Sequence, residues 1–523
     1  MRRGSIGEGR VIRCDYPARG IVQTDGVQVR VHGALEGELV RYRVTKHNSS
    51  RTEGQTLEVL ERAACEVPAD CPHYASCGGC IYRTLTPEDE LRLKEKQILR
   101  LLSPAVRTDE KAGDEEEQLP QDGCRGTAPP WFEGVKQSPD ITGYRNKMEL
   151  SFGDREKGGE LQLGLHARGS FYDILTVDSC RIMPQDFLKI ASCVLQWARE
   201  TGMKHYHKIT HQGYFRHLLL SRAVYTGEIL ADLVTSSQYG AAADEKPGTG
   251  DTAALTEDIS DGNQREEADL QTLKERLLAL DLDGRIAGIL HTVNDAVSDT
   301  IRNEHTDILF GTDVFTEHLL GMKFRITPFS FFQTNSRGAE VLYSTVREYI
   351  GDTKDRVIFD LYSGTGTIAQ ILAPVARHVT GVEIVPEAVR SARENAKLNG
   401  LTNCDFICGD VLKAVDELEE KPDLIVLDPP REGIHPGAMP KIIAFGVERI
   451  VYISCKATSL QRDLAPLQEA GYRVERACAV NLFPGTEHVE CVALLVREFE
   501  TAKAFVNVSL NMDVYRKFKE EQK

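Results

Sequence analysis

Cys455 lies in Ile450-Val-Tyr-Ile-Ser-Cys-Lys. The apolar, β-branched run before it predicts a strand, so the thiol falls just beyond the carboxyl end, where α/β sheets bind ligands. A thiolate there can add to an electron-poor carbon and leave again. A lone cysteine is more often an inert core residue, so its neighbours decide. Asp428, in Leu427-Asp-Pro-Pro-Arg, ends another apolar run with a rigid turn behind it. Glu490, in His488-Val-Glu-Cys-Val-Ala-Leu-Leu, opens a third. It is either a solvated strand end or a placed general base. Cys491 beside it is expected to face the core, and Lys456 is given no role.

A pocket for an adenosine-type ligand precedes these residues. Asp360-Leu-Tyr-Ser-Gly-Thr-Gly-Thr-Ile follows a predicted strand and opens a helix, and its glycines let backbone approach a ligand closely. Glu383 ends the next strand, where a carboxylate can accept ribose hydroxyls. A dinucleotide-binding domain shares this layout. Asp410, placed to meet an adenine amino group, and Asp428 at the reactive end favour a methyl donor instead. Together with a thiolate, this suits methylation of uracil carbon 5. That carbon cannot attack a sulfonium methyl unaided. Sulfur addition at carbon 6 makes it electron-rich, and a base must then remove its hydrogen. The thiol, ordinarily near pKa ~8.5, is expected to be lowered in the site.

A second cluster is Cys71-x5-Cys77-x2-Cys80, among thirteen cysteines in all. A fourth ligand is needed, and Cys180 is the best candidate, with Cys65, Cys124 and His73 as alternatives. Four thiolates suit zinc or a [4Fe–4S] cluster equally on spacing alone.

The elements that would position these groups fall into several regions. Residues 1–63 carry short alternating strands at 9–13, 20–24, 27–31, 38–44 and 56–60, the pattern of a small closed β-barrel. Arg30, Arg41, Arg43, Lys46 and Arg51 could bind RNA phosphates there; a purely structural or protein-docking barrel is the plain alternative. An amphipathic helix is predicted over 87–102, with Leu91, Ile98, Leu99 and Leu102 near one face. Residues 64–328 look α+β, with strands at 147–152, 161–165, 217–222 and 229–234. From about residue 355, alternating strands and helices predict a parallel sheet, with strands at 357–361, 379–383, 405–408, 424–427 and 450–454 and a last β pair at 473–480 and 489–496. The methyl-donor domain is expected to span 329–500, with a tail over 501–523.

A net charge of −16 opposes nucleic-acid binding, but two segments carry most of it. Residues 109–122 hold seven acids and one base, and residues 241–270 hold nine acids and two bases. These insertions, near 108–122 and 240–270, are expected to be disordered and to point away from any RNA face. Residues 1–63 are net +3. No apolar run spans a membrane and no secretory signal opens the chain, so a cytoplasmic protein without membrane association or an obligate protein partner is expected.

The combination Cys71-x5-Cys77-Gly-Gly-Cys80, Ser330-Phe-Phe-Gln-Thr-Asn, Asp360-Leu-Tyr-Ser-Gly-Thr-Gly, Leu427-Asp-Pro-Pro-Arg, Tyr452-Ile-Ser-Cys-Lys and Phe483-Pro-Gly-Thr-Glu-His-Val-Glu resembles the RNA uracil-5 methyltransferases, specifically the 23S ribosomal RNA branch. The resemblance covers nearly the whole chain except the acidic insertions and the last ~20 residues. It implies a multidomain protein: an N-terminal TRAM barrel, OB-like and RNA-binding, a central α+β iron–sulfur region, and a C-terminal α/β class I methyltransferase domain. It implies S-adenosyl-L-methionine contacts at Gln333, Tyr362, Glu383 and Asp428, the nucleophile at Cys455 and the base at Glu490. It tips Cys71, Cys77, Cys80 and Cys180 from zinc toward a [4Fe–4S] cluster, and it implies a 23S ribosomal RNA substrate whose target uridine is flipped into the pocket. Phe331 and Phe332 could lie near that base, though core packing is the commoner role of each. One departure is Ala457, where the family often has proline, which is expected to loosen the turn after Cys455. The alternatives are a tRNA uridine-5 methyltransferase, with the same catalytic set, and a non-catalytic RNA-binding iron–sulfur protein. The tRNA-directed branch is expected to lack the barrel and cluster.

Overall fold

The computed structural model describes residues 2–24, 26–107, 128–240, 252–298, 300–301, 304–417 and 421–498. The first acidic segment, Cys124 and the tail lie outside these residues, as does the start of the second acidic segment.

The alternating N-terminal strands close into a barrel: β1 (Ile6–Asp15), β2 (Arg19–Thr24), β3 (Val27–His32), β4 (Leu39–His47) and β5 (Thr52–Glu61), in the order β1-β2-β3-β5-β4. Val11, Val22, Val29, Val31, Val40, Tyr42 and Val44 fill its interior. Arg41 pairs with Glu8 and Glu58, and Arg51 with Glu53, so part of the expected basic surface is neutralised within the barrel.

Helix α1 (Pro87–Leu102) starts where Thr86 caps Asp89 N and proline occupies the first turn. Its buried face differs from the expected one. Glu90, Lys94, Gln97, Ile98 and Leu102 are buried, while Leu91 and Leu99 are only partly covered. Next, β6 (Phe132–Gln137) crosses the boundary expected at residue 328 by pairing with a strand of the C-terminal sheet.

The central sheet is built from β7 (Lys147–Gly153), β8 (Gln162–His166), β9 (Ile174–Thr176), β10 (Phe215–Arg222), β11 (Glu228–Thr235), β12 (Arg285–Val293) and β13 (His305–Gly311), in the order β13-β12-β11-β10-β7-β8-β9. Helices α2 (Gln185–Thr201) and α3 (Thr252–Leu278) pack against each other. Most of the second acidic segment is therefore helical rather than disordered. Leu270 at its end, with Leu273 and Leu277 further along α3, recurs at helical spacing and joins the central core. A hairpin, β14 (Phe315–Leu319) and β15 (Met322–Ile326), leads on to the last region.

That region contains α4 (Ser336–Ile350), β16 (Thr353–Leu361), α5 (Thr367–Leu372), β17 (Ala376–Glu383), α6 (Pro386–Leu398), β18 (Cys404–Cys408), α7 (Val411–Glu417), β19 (Leu424–Leu427), α8 (Met439–Ala444), β20 (Arg449–Ser454), α9 (Ala457–Glu469), β21 (Tyr472–Asn481) and β22 (Glu490–Arg497). The sheet order is β18-β17-β16-β19-β20-β22-β21-β6. The central stretches 357–361 of β16, Leu424–Leu427 of β19 and 450–453 of β20 are almost wholly apolar because both faces are covered. Strand order reverses at β16, whose neighbours are β17 and β19, and a crevice opens at the carboxyl ends there. Strand β22 runs antiparallel to β20, with Ser454 opposite Cys491, so its first residue arrives at the edge where β20 ends. Among the described residues no helix is long and apolar enough to cross a membrane.

Candidate active site

The ends of five strands, β16 to β20, and the start of β22 meet at one cleft of about 1440 Å³, lined by Gln333, Tyr362, Glu383, Asp410, Asp428, Cys455 and Glu490 among others. All seven residues singled out at this sheet edge are thus brought together. The volume exceeds the roughly 300–1,000 Å³ of a typical small-ligand pocket, enough for two substrates side by side.

The cofactor end is shaped by backbone. Gly366 takes φ 72° at the start of α5, and a Cβ there would lie 2.4 Å from the Phe406 ring, so glycine is required. Tyr362 takes φ 69°, an uncommon conformation for a non-glycine residue that turns the chain sharply off β16. Glu383 is oriented by Gly364 N, which donates to Oε2 at 2.9 Å, and Val385 N, which donates to Oε1 at 2.9 Å. Leu412 N donates to Asp410 Oδ1 at 3.0 Å. The Gln333 side chain bonds the buried Tyr343, and Asn146 Nδ2 donates to Gln333 O at 2.9 Å. Asp360, the first residue of the glycine motif, has a part that its sequence position does not reveal. It lies fully buried behind the glycine turn, accepts Ala369 N at 3.0 Å, and is pushed up to about 8 by burial, then by Asp428.

At the reactive end, three acidic groups are crowded in a dry place. Asp428 lies at the cleft floor, and burial pushes its carboxyl up to about 7. Glu490 is 5% exposed and is pushed up to about 8 by burial, then by Asp428. Cys455 is pushed up to about 11 by burial, then by Glu490 and Asp428. This corrects the expectation of a lowered thiol. The field from two carboxylates and the loss of solvent outweigh Arg431, the cation that lowers both Cys455 and Glu490. Arg431 was present in the quoted motif but unassigned. The turn after Cys455 is not loose. Ser454 Oγ donates to Lys456 O at 2.9 Å, and Ala457 is fully buried as the first residue of α9. Phe331 and Phe332 divide their roles: Phe332 packs on Phe324, while Phe331 is 71% exposed at the cleft. Cys491 faces the core as expected.

These values give a pH dependence with a definite sign. The free protein at neutral pH holds Glu490 and Cys455 largely protonated. If both a carboxylate base and a thiolate are needed, kcat/KM is expected to rise by about a hundredfold per pH unit near pH 6, easing toward tenfold above pH 8 as Glu490 ionises. A profile that is flat or falling in that window contradicts this reading.

Cys71, Cys77, Cys80 and Cys180 line one small pocket together with His73. Their thiols sense one another: burial and then Cys180 raise Cys80 to about 12, and Cys71 adds to the upward push on Cys77 and Cys180. Among the described residues no three His, Cys, Asp or Glu side chains converge closely enough to hold a single metal ion. His73 bonds Asp178 at 2.8 Å, and Cys65 is exposed.

A family model described as tRNA (Uracil-5-)-methyltransferase matches residues 290–498. An uncharacterized RNA methyltransferase of Clostridium tetani is 41% identical over 498 residues, covering 95% of this chain and 99% of the relative. One from Caldanaerobacter subterraneus subsp. tengcongensis is 41% identical over 496 residues, covering 95% and 99%. The crystal structure of Pyrococcus abyssi tRNA (uracil-54, C5)-methyltransferase in complex with S-adenosyl-L-homocysteine aligns with a TM-score of 0.64 at 22% identity, covering 94% of this chain and all of that one. A tRNA-directed enzyme thus shares the fold across nearly the full length, so the chain's architecture does not separate ribosomal from transfer RNA. By identity and extent over these relatives, the chain belongs to the RNA methyltransferase family, as an enzyme of the uracil-5 type.

Proposed function

We propose that the protein methylates carbon 5 of a uridine in 23S ribosomal RNA through a transient bond between Cys455 and carbon 6. The observation that carries this reading is the meeting of Cys455, Asp428 and Glu490 in one cleft with Gln333, Tyr362, Glu383 and Asp410. S-adenosyl-L-methionine, when bound, supplies a methyl group on a sulfonium sulfur. Its fit is argued from donor chemistry: Glu383 is already aimed by two backbone N–H groups and keeps lone pairs for ribose hydroxyls, and Asp410 offers an acceptor for an adenine amino group. Asp428 sets a negative charge beside the reacting centre, where a cation would pull the raised carboxyls and thiol back down.

Cys455 gives its proton to solvent as its sulfur bonds to carbon 6, and the ring electrons move to carbon 5 and the adjacent carbonyl. Carbon 5 takes the methyl group, and the electrons of the broken carbon–sulfur bond stay on the donor, which would leave as S-adenosyl-L-homocysteine. Glu490 then removes the hydrogen on carbon 5, the carbon 5–carbon 6 double bond re-forms, and Cys455 leaves with the bonding electrons. Phe331 offers an exposed aromatic face at the cleft mouth for a flipped base.

Residues 1–63 are proposed as a TRAM-type RNA-binding barrel, 64–328 as the central region and 329–500 as the methyltransferase domain, with β6 and α1 contributed to the last. Cys71, Cys77, Cys80 and Cys180 would hold a [4Fe–4S] cluster. Four thiols around one pocket suit either a cluster or zinc, and the resemblance of the Cys71-x5-Cys77-Gly-Gly-Cys80 motif favours the cluster. Methyl transfer needs no electrons, so a structural or RNA-positioning role fits it best.

A tRNA uridine target is the second reading, favoured by the full-length likeness to a tRNA-directed enzyme. Nucleoside mapping of ribosomal and transfer RNA from cells lacking this gene separates the two. Loss of 5-methyluridine from 23S RNA alone is expected; loss from tRNA alone would overturn the ribosomal assignment.

A further inference from the structure

Glu490 is the first residue of β22, buried at the cleft beside Asp428 and Arg431. Its place is set by backbone, at the point where the loop between β21 and β22 re-enters the sheet. That loop is closed from outside by two residues of α1. Lys94 Nζ donates to Asn481 Oδ1 at 2.6 Å and to His488 O at 3.3 Å, bridging the last residue of β21 and the approach to β22. Glu90 lies 2.7 Å from the same Nζ and one helical turn earlier. Gly485 N donates to its two carboxylate oxygens at 2.9 and 3.0 Å, and Asn481 Nδ2 donates to Oε1 at 3.2 Å. Lys94 is fully buried and Glu90 is 5% exposed.

A buried ion pair contributes little net stability over an apolar pair of the same volume. What this pair does, and leucine or methionine could not, is hold three loop positions at once through charged hydrogen bonds. Gly485 takes φ 81°, and its carbonyl accepts Ile81 N and Tyr82 N at 2.9 and 3.0 Å, so the turn is pinned on both sides.

We propose that Glu90 and Lys94 are positioning residues for the Glu490 base, clamping the neck and tip of the Asn481–His488 loop. This rests on the reading that Glu490 removes the carbon 5 hydrogen. A displaced base would slow the breakdown of the covalent adduct without slowing its formation, since Cys455 is carried by β20 and α9.

The test uses full-length Lys94→Met and the double variant Glu90→Gln/Lys94→Met, which leaves no unpaired buried charge. Each is mixed with S-adenosyl-L-methionine and the RNA transcript on which the wild type turns over. Formation of a denaturant-stable protein–RNA adduct and release of methylated RNA are timed in a single turnover. Adduct formation is expected within about twofold of wild type, with release slowed about 10- to 100-fold and adduct accumulating. Equal slowing of both steps, or unchanged release, overturns the clamp. Glu490→Gln is run alongside. Accumulation in Glu490→Gln but not in the Lys94 variants overturns the clamp alone. Accumulation in none of them overturns the assignment of Glu490, and the clamp with it.

Discussion

Cys455→Ala is expected to lower methylation by about 10⁴-fold or more, roughly 5 kcal/mol of transition-state stabilisation, while leaving donor and RNA binding within a few-fold of wild type. The size of the effect follows from the chemistry. Without sulfur on carbon 6, carbon 5 is not electron-rich, and no other described residue at the cleft floor can take the thiol's place. Cys491, on the strand beside β20, is buried in the core. Binding should survive because Glu383, Asp410 and Gln333 stand on other strands and loops. The measurement is single-turnover methyl transfer from labelled donor, with binding followed separately. Retained transfer in the alanine variant would show that a different mechanism operates.

Glu490→Gln is expected to slow turnover by about 10²- to 10⁴-fold while permitting the first half of the reaction. The amide fits the buried site and removes the group that takes the carbon 5 hydrogen. The covalent adduct therefore forms with ordinary RNA and persists. The substitution also removes a negative charge that raises Cys455, so the thiol in this variant should ionise at lower pH than in the wild type. Titrating the alkylation rate of Cys455 in both proteins checks that sign. An unchanged or higher thiol pKa would show that burial alone sets it.

The catalytic edge was legible in the sequence for a physical reason. In a sheet covered on both faces, the strands are nearly pure apolar runs, so each polar residue at a run's end stands out. Asp428 and Cys455 fall on one edge from sequence alone, the alternating β-barrel strands are equally plain, and the antiparallel pairing of β22 with β20 then brings Glu490 to the same edge. What escaped depends on contacts distant in sequence. Periodicity assigned α1 a leucine face, but its buried stripe is largely polar because Glu90 and Lys94 satisfy one another and a loop nearly 400 residues away. Strand β6 joins a sheet whose other members begin more than 200 residues later. The polar composition of the second acidic segment concealed a helix whose buried leucines, Leu270, Leu273 and Leu277, begin only at the segment's end. The thiol was expected to be acidified; only the fold shows two carboxylates aimed into the same cleft.

One experiment bears on the covalent step without depending on turnover. The protein is incubated with S-adenosyl-L-methionine and substrate RNA carrying 5-fluorouridine at the target, then digested and analysed by mass spectrometry. Fluorine replaces the hydrogen that Glu490 would remove, so the adduct cannot resolve. A methylated fluoropyrimidine bonded to the Cys455 peptide is the expected result. Its absence on an RNA that the enzyme demonstrably methylates, or its presence on another residue, would contradict the mechanism.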